Sequence, residues 1–521
     1  MGIYINIGNE GFRSARNGEY VDKSEMIAVI NNTLGTKQRF TCVTRCRRFG
    51  KSMAAEMLCA YYDQSCDSRS LFTDLAIARD PSFEKHLNKY PVIYLDMTAF
   101  VTRYKGDDIM EQIDARLKAD VLKTYPKVNQ EEGDDLMDIL LKAAADGQRF
   151  FFIIDEWDAI CREFAPRTET MDRYLNWLRR MFKEVNANRV FAGVYMTGIL
   201  PIKKYKTESA LNNFTEYSMV DPRRLDRYFG FTKEEVKELA QKYGTDFDEL
   251  EKWYDGYQIG GQPSMFNPNS VIQAIDSNWC TSYWGKTGAY DAVAEYIQKD
   301  FDGLKDDIIQ MLGGGRCPVD PTGFRNDISE IESKDDVLTL LIHLGYLSYD
   351  RCSGECYIPN REVAGEMVNA VKSNKWRYVT TAIEQSKQLL QATLDGDEEA
   401  VAQGVDAAHD ENTSILSYNN ENSLACVLSI AYYYAKNDYI IHREYPSGKG
   451  FADLVLIPRK NVDSPAIVLE LKYDKDVDSA IDQIKRKEYP AKVAQYADHL
   501  LLVAISYDKK GKKHQCIIEK A

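Results

Sequence analysis

The stretch Arg45 to Ser52 reads RCRRFGKS and ends in the Gly-Lys-Ser of a phosphate-binding loop. In such a loop backbone N–H groups cradle phosphates, the lysine reaches the outer phosphates and the hydroxyl binds Mg²⁺. Gly50, Lys51 and Ser52 are therefore expected to bind ATP, with Ser52 also on the metal and Arg47 and Arg48 adding charge beside the phosphates. The run departs from G-x-x-x-x-G-K-[ST], because Arg45 stands where the first glycine belongs. That glycine normally supplies a turn with positive φ, so the arginine means either a differently shaped turn or a weakened site.

A second pattern, FFFIIDEWDAI from Phe150 to Ile160, is an apolar run that ends in paired carboxylates. A buried parallel strand delivers such residues to its C-terminal edge, where α/β sheets bind ligands. Asp155 is expected to hold Mg²⁺ and Glu156 to polarise the attacking water as a catalytic residue. Thr197, at the end of the apolar run RVFAGVYMTGI, is placed either to sense the γ-phosphate or to cap a strand, and both readings stand.

The third centre is C-terminal. GKGFADLVLIPRK carries Asp453, and PAIVLELKYDK carries Glu470 and Lys472. Strand side chains alternate, so Glu470 and Lys472 share a face. Asp453 and Glu470 can share a divalent metal for attack on a phosphodiester, with Lys472 positioning or activating the nucleophile. Glu421, before an apolar helical stripe, is either a further metal carboxylate or a helix-dipole partner. Gln483 and Lys487 lie four apart on one helix face and are candidate nucleic-acid contacts, or an ordinary solvated face. Glu444 is a less certain fourth carboxylate.

These residues need strands to carry them and helices to cover the strands. Arg39 to Thr44, Tyr90 to Met97, Phe150 to Asp155 and Arg189 to Ile199 read as buried strands, and the run from Met53 has helical spacing. Their alternation with helices predicts a parallel sheet wrapped on both faces. DDVLTLLIHLGYLSYD predicts a helix stopped at Gly345 and a hairpin turning at CSGE, a winged-helix-like arrangement. The extension from Met1 to Gln38, with YVDKS at Tyr20 to Ser24, packs on the first domain and is given no chemistry. The expected fold is α/β: a P-loop NTPase (AAA-like) parallel sheet domain over 1–225, a helical and winged-helix-like middle over 226–403, an acidic connector over 404–420, and a restriction-endonuclease-like α/β domain over 421–521.

The segments RRFGKS, FFIIDEWD, MTGILPI, YFGFTKEEV, WYDGYQI and FNPNSV, in this order, resemble the AAA-ATPase-like proteins of bacteria that carry a C-terminal PD-(D/E)XK nuclease-like domain. In that family an Arg-rich loop replaces the first glycine, so the resemblance implies an intact ATP-binding domain despite Arg45. The Asp453, Glu470 and Lys472 set resembles the PD-(D/E)XK core. The expected function is ATP binding and hydrolysis regulating a Mg²⁺-dependent nuclease, with Mn²⁺ admissible at the nuclease site and DNA ahead of RNA as substrate. The alternative is an ATP-driven switch or scaffold whose C-terminal domain binds nucleic acid or protein without cutting.

Composition narrows the setting. The 521 residues carry a net charge of −14, so nucleic acid must meet local basic clusters such as Lys485 to Lys513, and not the whole surface. No apolar run approaches the roughly 18 residues of a membrane span, and no secretory signal is visible. Eleven scattered cysteines read as reduced thiols, with the C-x3-C pairs Cys42/Cys46 and Cys352/Cys356 lacking the second ligand pair of a zinc site. The expectation is a cytoplasmic protein without membrane contact, for which a homo-oligomer is admissible.

Overall fold

In the computed structural model, residues 2–520 are described except 105–108, 145–146, 164–167, 203, 206–207, 210, 285–300, 313, 325–330, 332, 374–376, 413–427, 429–430, 433–434, 436–438, 448–449, 459–463, 475 and 487–498. The chain forms two units, Met1–Ala289 with Pro318–Val363, and Tyr290–Cys317 with Ala364–Ala521. Among the described residues no helix is long and apolar enough to cross a membrane.

The first unit is built on strands β1 (Phe40–Thr44), β2 (Val92–Asp96), β3 (Phe150–Asp155), β4 (Phe191–Gly198) and β5 (Thr215–Tyr217). They lie in the order β2-β3-β4-β1-β5 with every neighbouring pair parallel. Every residue of β1, β3 and β4 is buried, as central strands covered on both faces must be. The pleat splits them between two cores: Phe150, Phe152 and Ile154 join one, Phe151 and Ile153 the other. This is the parallel sheet expected from the apolar runs.

The helix Lys51–Tyr62 follows β1 through the phosphate loop, and its N-cap Gly50 takes the left-handed conformation at φ 86°. Arg48 is also left-handed, at φ 67°. Between them Phe49 is buried, edge-on to Tyr257 with ring centroids 5.0 Å apart. Arg45 supplies no positive φ and turns inward instead. Its guanidinium donates to the carbonyls of Thr44 at 2.8 Å, Tyr217 at 2.7 Å and Leu225 at 3.1 Å. Of the apolar residues at helical spacing after the loop, Met57, Ala60 and Tyr61 enter the core, whereas Met53 is exposed.

Behind the loop stands the hairpin anticipated after Gly345. The helix Lys334–Leu344 begins in a capping box of Ser333 and Asp336 and ends at Gly345 with φ 89°. A Cβ on Gly345 would come within 2.5 Å of the Cys46 Cβ, so glycine lets this helix end abut the phosphate loop. Strands β6 (Ser348–Asp350) and β7 (Glu355–Tyr357) pair antiparallel beyond it. A small antiparallel sheet of Phe231–Thr232, Gln262–Phe266 and Tyr257–Ile259, with helices Lys233–Tyr243, Phe247–Tyr254 and Pro268–Ser277, completes the unit.

The second unit holds a mixed sheet of β8 (Tyr439–Ser447), β9 (Gly450–Pro458), β10 (Ala466–Tyr473), β11 (Leu500–Asp508) and β12 (Lys513–Lys520), hydrogen-bonded in that order. Only β10 and β11 pair in parallel. One face packs on helices Arg377–Asp395 and Glu398–Asn412 through Leu389, Val401 and Val405. The other face packs on Val477–Arg486 through Ala480, Ile481 and Ile484. Residues 404–412, read from their charge as the start of a connector, continue the helix Glu398–Asn412 because Val405 and Ala408 are buried. Glu421, Lys487 and the connector residues 413–420 lie outside the described residues.

Arg45→Gly, which restores the common loop sequence, is expected to destabilise the first unit. It strands buried carbonyls whose lost partners cost about 1–3 kcal/mol each. A lower denaturant midpoint for this unit checks the expectation, and an unchanged midpoint refutes it.

Candidate active sites

In the first unit the C-terminal ends of the central strands and the start of the helix Lys51–Tyr62 open into a cavity of about 750 Å³. Arg47, Arg48, Gly50, Lys51, Ser52 and Glu156 all line it. Lys51 is buried, with Nζ donating to the Cys46 carbonyl at 3.2 Å and lying 3.5 Å from Glu156 Oε1. Arg48 instead donates to the Tyr283 carbonyl. Arg47 is half-buried, and burial followed by the nearby Arg162 charge lowers the pKa of its guanidinium.

Asp155 ends β3 and is buried. Desolvation raises its pKa to about 6, against the opposing effect of a hydrogen bond from Ser52. A desolvated carboxylate beside a hydroxyl at a helix N-terminus fits a hard cation, so Ser52 and Asp155 are the residues that would hold Mg²⁺. Glu156 leaves the strand at φ 50°, which turns its carboxylate back toward Lys51. Thr197 does not line the cavity; it is fully buried in β4 and accepts from the Trp157 N–H through its carbonyl at 2.9 Å.

Several cavity residues have no counterpart among the expected site residues. Tyr20, Val21 and Lys23 come from the YVDKS stretch, Tyr228, Gly230 and Phe231 from YFGFTKEEV, and Pro268, Asn269 and Ile272 from FNPNSV and its helix. Lys23 Nζ ties the extension to the later helices, donating to Glu235 at 2.7 Å and to the Arg227 carbonyl at 3.0 Å. Asp158 and Arg162 were also missed, although their i,i+4 spacing at a helix start was a usable signal. Asp158 is fully buried and accepts from the Leu200 N–H at 2.9 Å and the Ile199 N–H at 3.2 Å.

In the second unit Leu454 pairs with Leu469 across antiparallel strands, which sets Asp453 opposite Glu470. Asp453 Oδ2 accepts from the Leu471 N–H at 2.7 Å, and Lys472 Nζ lies 3.2 Å from Glu470 Oε1. Gln483, from the helix Val477–Arg486, also donates to Glu470 Oε1. Gln483 thus sits among the carboxylate's partners. Glu470 and Lys472 are both buried. Asp453 and Glu470 would hold a divalent cation, although among the described residues no group of three or more His, Cys, Asp or Glu side chains gathers to complete a cage.

Comparison with known proteins bears on both centres. Residues 6–207 match the AAA-ATPase-like family model, described as "Predicted AAA-ATPase", and residues 419–516 match the PD-(D/E)XK nuclease superfamily model. The chain joins an AAA-ATPase-like domain to a PD-(D/E)XK nuclease superfamily domain. A curated relative, the "Uncharacterized protein in vnfD 5'region" of Azotobacter chroococcum mcd 1, is 26% identical over 293 residues, 54% of each chain. The match thus spans about half of that relative's length. Among solved structures, the Aeropyrum pernix ORC2 protein in its ADPNP-ADP complexes is similar with a TM-score of 0.31 and 12% identity, covering 69% of this chain and 98% of that one. The Aeropyrum pernix ORC1 protein in complex with DNA gives a TM-score of 0.23 and 12% identity, with 72% and 98% covered.

The AAA-ATPase-like domain carries a testable cost at Asp155. Its pKa in the folded chain, about 6, exceeds the 3.8 of a free side chain, so ionisation opposes folding. That penalty is absent at low pH, grows as pH rises through this window, and reaches up to about 3 kcal/mol above pH 7. Asp155→Asn is therefore expected to stabilise the ligand-free protein most at pH 8 and less as pH falls below 6. Thermal melts across that range check it, and a pH-independent difference refutes it.

Proposed function

We propose that this protein binds and hydrolyses ATP and that its nucleotide state regulates a Mg²⁺-dependent nuclease acting on nucleic acid, DNA ahead of RNA. The observation that carries the reading is the placement of Asp453 opposite Glu470, with Lys472 beside Glu470 on the same sheet face. Asp453 and Glu470 would hold a divalent cation, which would supply an activated water and charge neutralisation at a phosphodiester. Lys472 Nζ then orients the attacking group, and Gln483 holds the Glu470 carboxylate in place. In the ATPase-like domain, Lys51 would contact the outer phosphates while Glu156 orients water, and Ser52 and Asp155 would hold the cation.

A second reading, an ATP-driven switch or scaffold that does not cut, is favoured by one detail. Lys472 and Gln483 both occupy Glu470 Oε1, in competition with a metal.

Plasmid nicking with Mg²⁺ or Mn²⁺, with and without ATP, separates the two. Asp453→Ala or Glu470→Ala is expected to abolish cleavage and leave ATP hydrolysis within a few-fold of the parent. Lys472→Ala should lose about 10²–10⁴-fold in cleavage rate, as positioning and acid–base roles typically do. Absence of cleavage of DNA and RNA under every metal and nucleotide condition leaves the switch reading in its place. Separately, Lys51→Ala should lose ATP binding, whereas Glu156→Gln should bind ATP and hydrolyse it slowly. Unchanged ATP affinity of Lys51→Ala by calorimetry removes the phosphate-loop assignment.

A further inference from the structure

Resting on the reading of the cavity as an ATP site, we propose that Arg162 recognises the γ-phosphate from within the same chain and makes the site selective for a nucleoside triphosphate over a diphosphate.

Arg162 lines the cavity beside Lys51. The two cations flank one carboxylate: Lys51 Nζ lies 3.5 Å from Glu156 Oε1, and Arg162 Nη2 lies 2.5 Å from Glu156 Oε2. The span between them is therefore that of a single small oxyanion, a dimension that a terminal phosphate shares with a carboxylate. The guanidinium is oriented from behind. Asp158 lies 3.1 Å from its Nε, and Asp158 is itself held by the Ile199 and Leu200 N–H groups at the end of β4. The Nη2 atom meets Glu156 at the cavity, while the buried Nε, although close to Asp158, makes no hydrogen bond.

The charge balance asks for a polyanion. Arg47 shares the cavity, has no hydrogen bond or ion pair among the described residues, and is opposed by the Arg162 charge. Five cations, Lys23, Arg47, Arg48, Lys51 and Arg162, line the cavity against two carboxylates, Glu19 and Glu156, with Asp158 paired to Arg162. Position then selects the phosphate. The amides at the start of the helix Lys51–Tyr62 and Lys51 serve the inner part of the phosphate chain. Arg162 stands across Glu156 from Lys51, where the terminal phosphate must lie for Glu156 to orient a water against it. A γ-phosphate in that place takes both cations from Glu156 and frees its carboxylate. A diphosphate does not reach Arg162 and leaves the Glu156 pairs intact. The residue does within one chain what an arginine finger does from a second one.

The test is equilibrium binding of ATP and ADP to the full chain, for the parent, Arg162→Ala, Arg162→Lys and Lys51→Ala. Arg162→Ala is expected to weaken ATP by about 10- to 100-fold and ADP by less than about threefold, the loss of a charge-assisted contact made only to the third phosphate. Arg162→Lys keeps the charge without the fork and should fall between the two, and it replaces Arg162→Ala if circular dichroism shows that variant unfolded. Equal losses for ATP and ADP would mark Arg162 as a structural anchor of Asp158 and overturn the proposal, as would no loss for either. If the parent binds neither nucleotide, or Lys51→Ala keeps full affinity for both, the ATP reading itself fails and the proposal goes with it.

Discussion

The turn from β1 into the helix Lys51–Tyr62 is the constraint on which the first unit depends. A phosphate loop must reverse direction tightly while its N–H groups point at one place, and here two left-handed residues, Arg48 and Gly50, provide the reversal. With the first glycine replaced, the curvature is secured from inside by the Arg45 guanidinium on three backbone carbonyls and over the Phe229 ring at 5.2 Å. Burial lowers the Arg45 pKa to about 10, which still leaves it charged at neutral pH. A buried cation with carbonyl partners is rigid because each alternative position leaves those carbonyls without donors. The loop gains its shape from a long polar side chain where glycine would have given it backbone freedom.

The two centres handle charge in opposite ways. At the cavity beside the phosphate loop the lining cations outnumber the lining carboxylates, and Asp155 is desolvated enough to resist ionisation, so a polyanion and a cation bound there would relieve both. At the nuclease-like site Lys472 and Gln483 already satisfy the Glu470 carboxylate within the sheet. The first arrangement is an electrostatic debt that ligand removes, and the second is a preformed network that a metal must enter.

Strand parity ties the second site together. Glu470 and Lys472 share the β10 face of Val468, and Asp453 shares the β9 face of Val455, both valines belonging to the core under the helix Val477–Arg486. The same helix carries Gln483 on its sheet-facing side, so one packing decision sets four functional groups at one sheet end. A one-residue slip of β9 against β10 would send Asp453 to the opposite face.

Much of this was legible in the sequence, because it followed from local chemistry. Apolar runs long enough to be central strands, the Gly50-Lys51-Ser52 helix start, the stop at Gly345 and the shared face of Glu470 and Lys472 all depend on periodicity and on backbone preferences that neighbours cannot easily override. Only the tertiary structure decided the rest. That Arg45 points inward, that Met53 stays exposed, that Tyr20 and Lys23 border the same cavity as Tyr228 and Asn269, and that the Ile199 and Leu200 N–H groups hold Asp158 depend on segments far apart in the chain. Spacing records which residues a helix or strand presents together; it holds no record of which distant carbonyl or carboxylate will stand opposite, since that is set by the packing of whole elements.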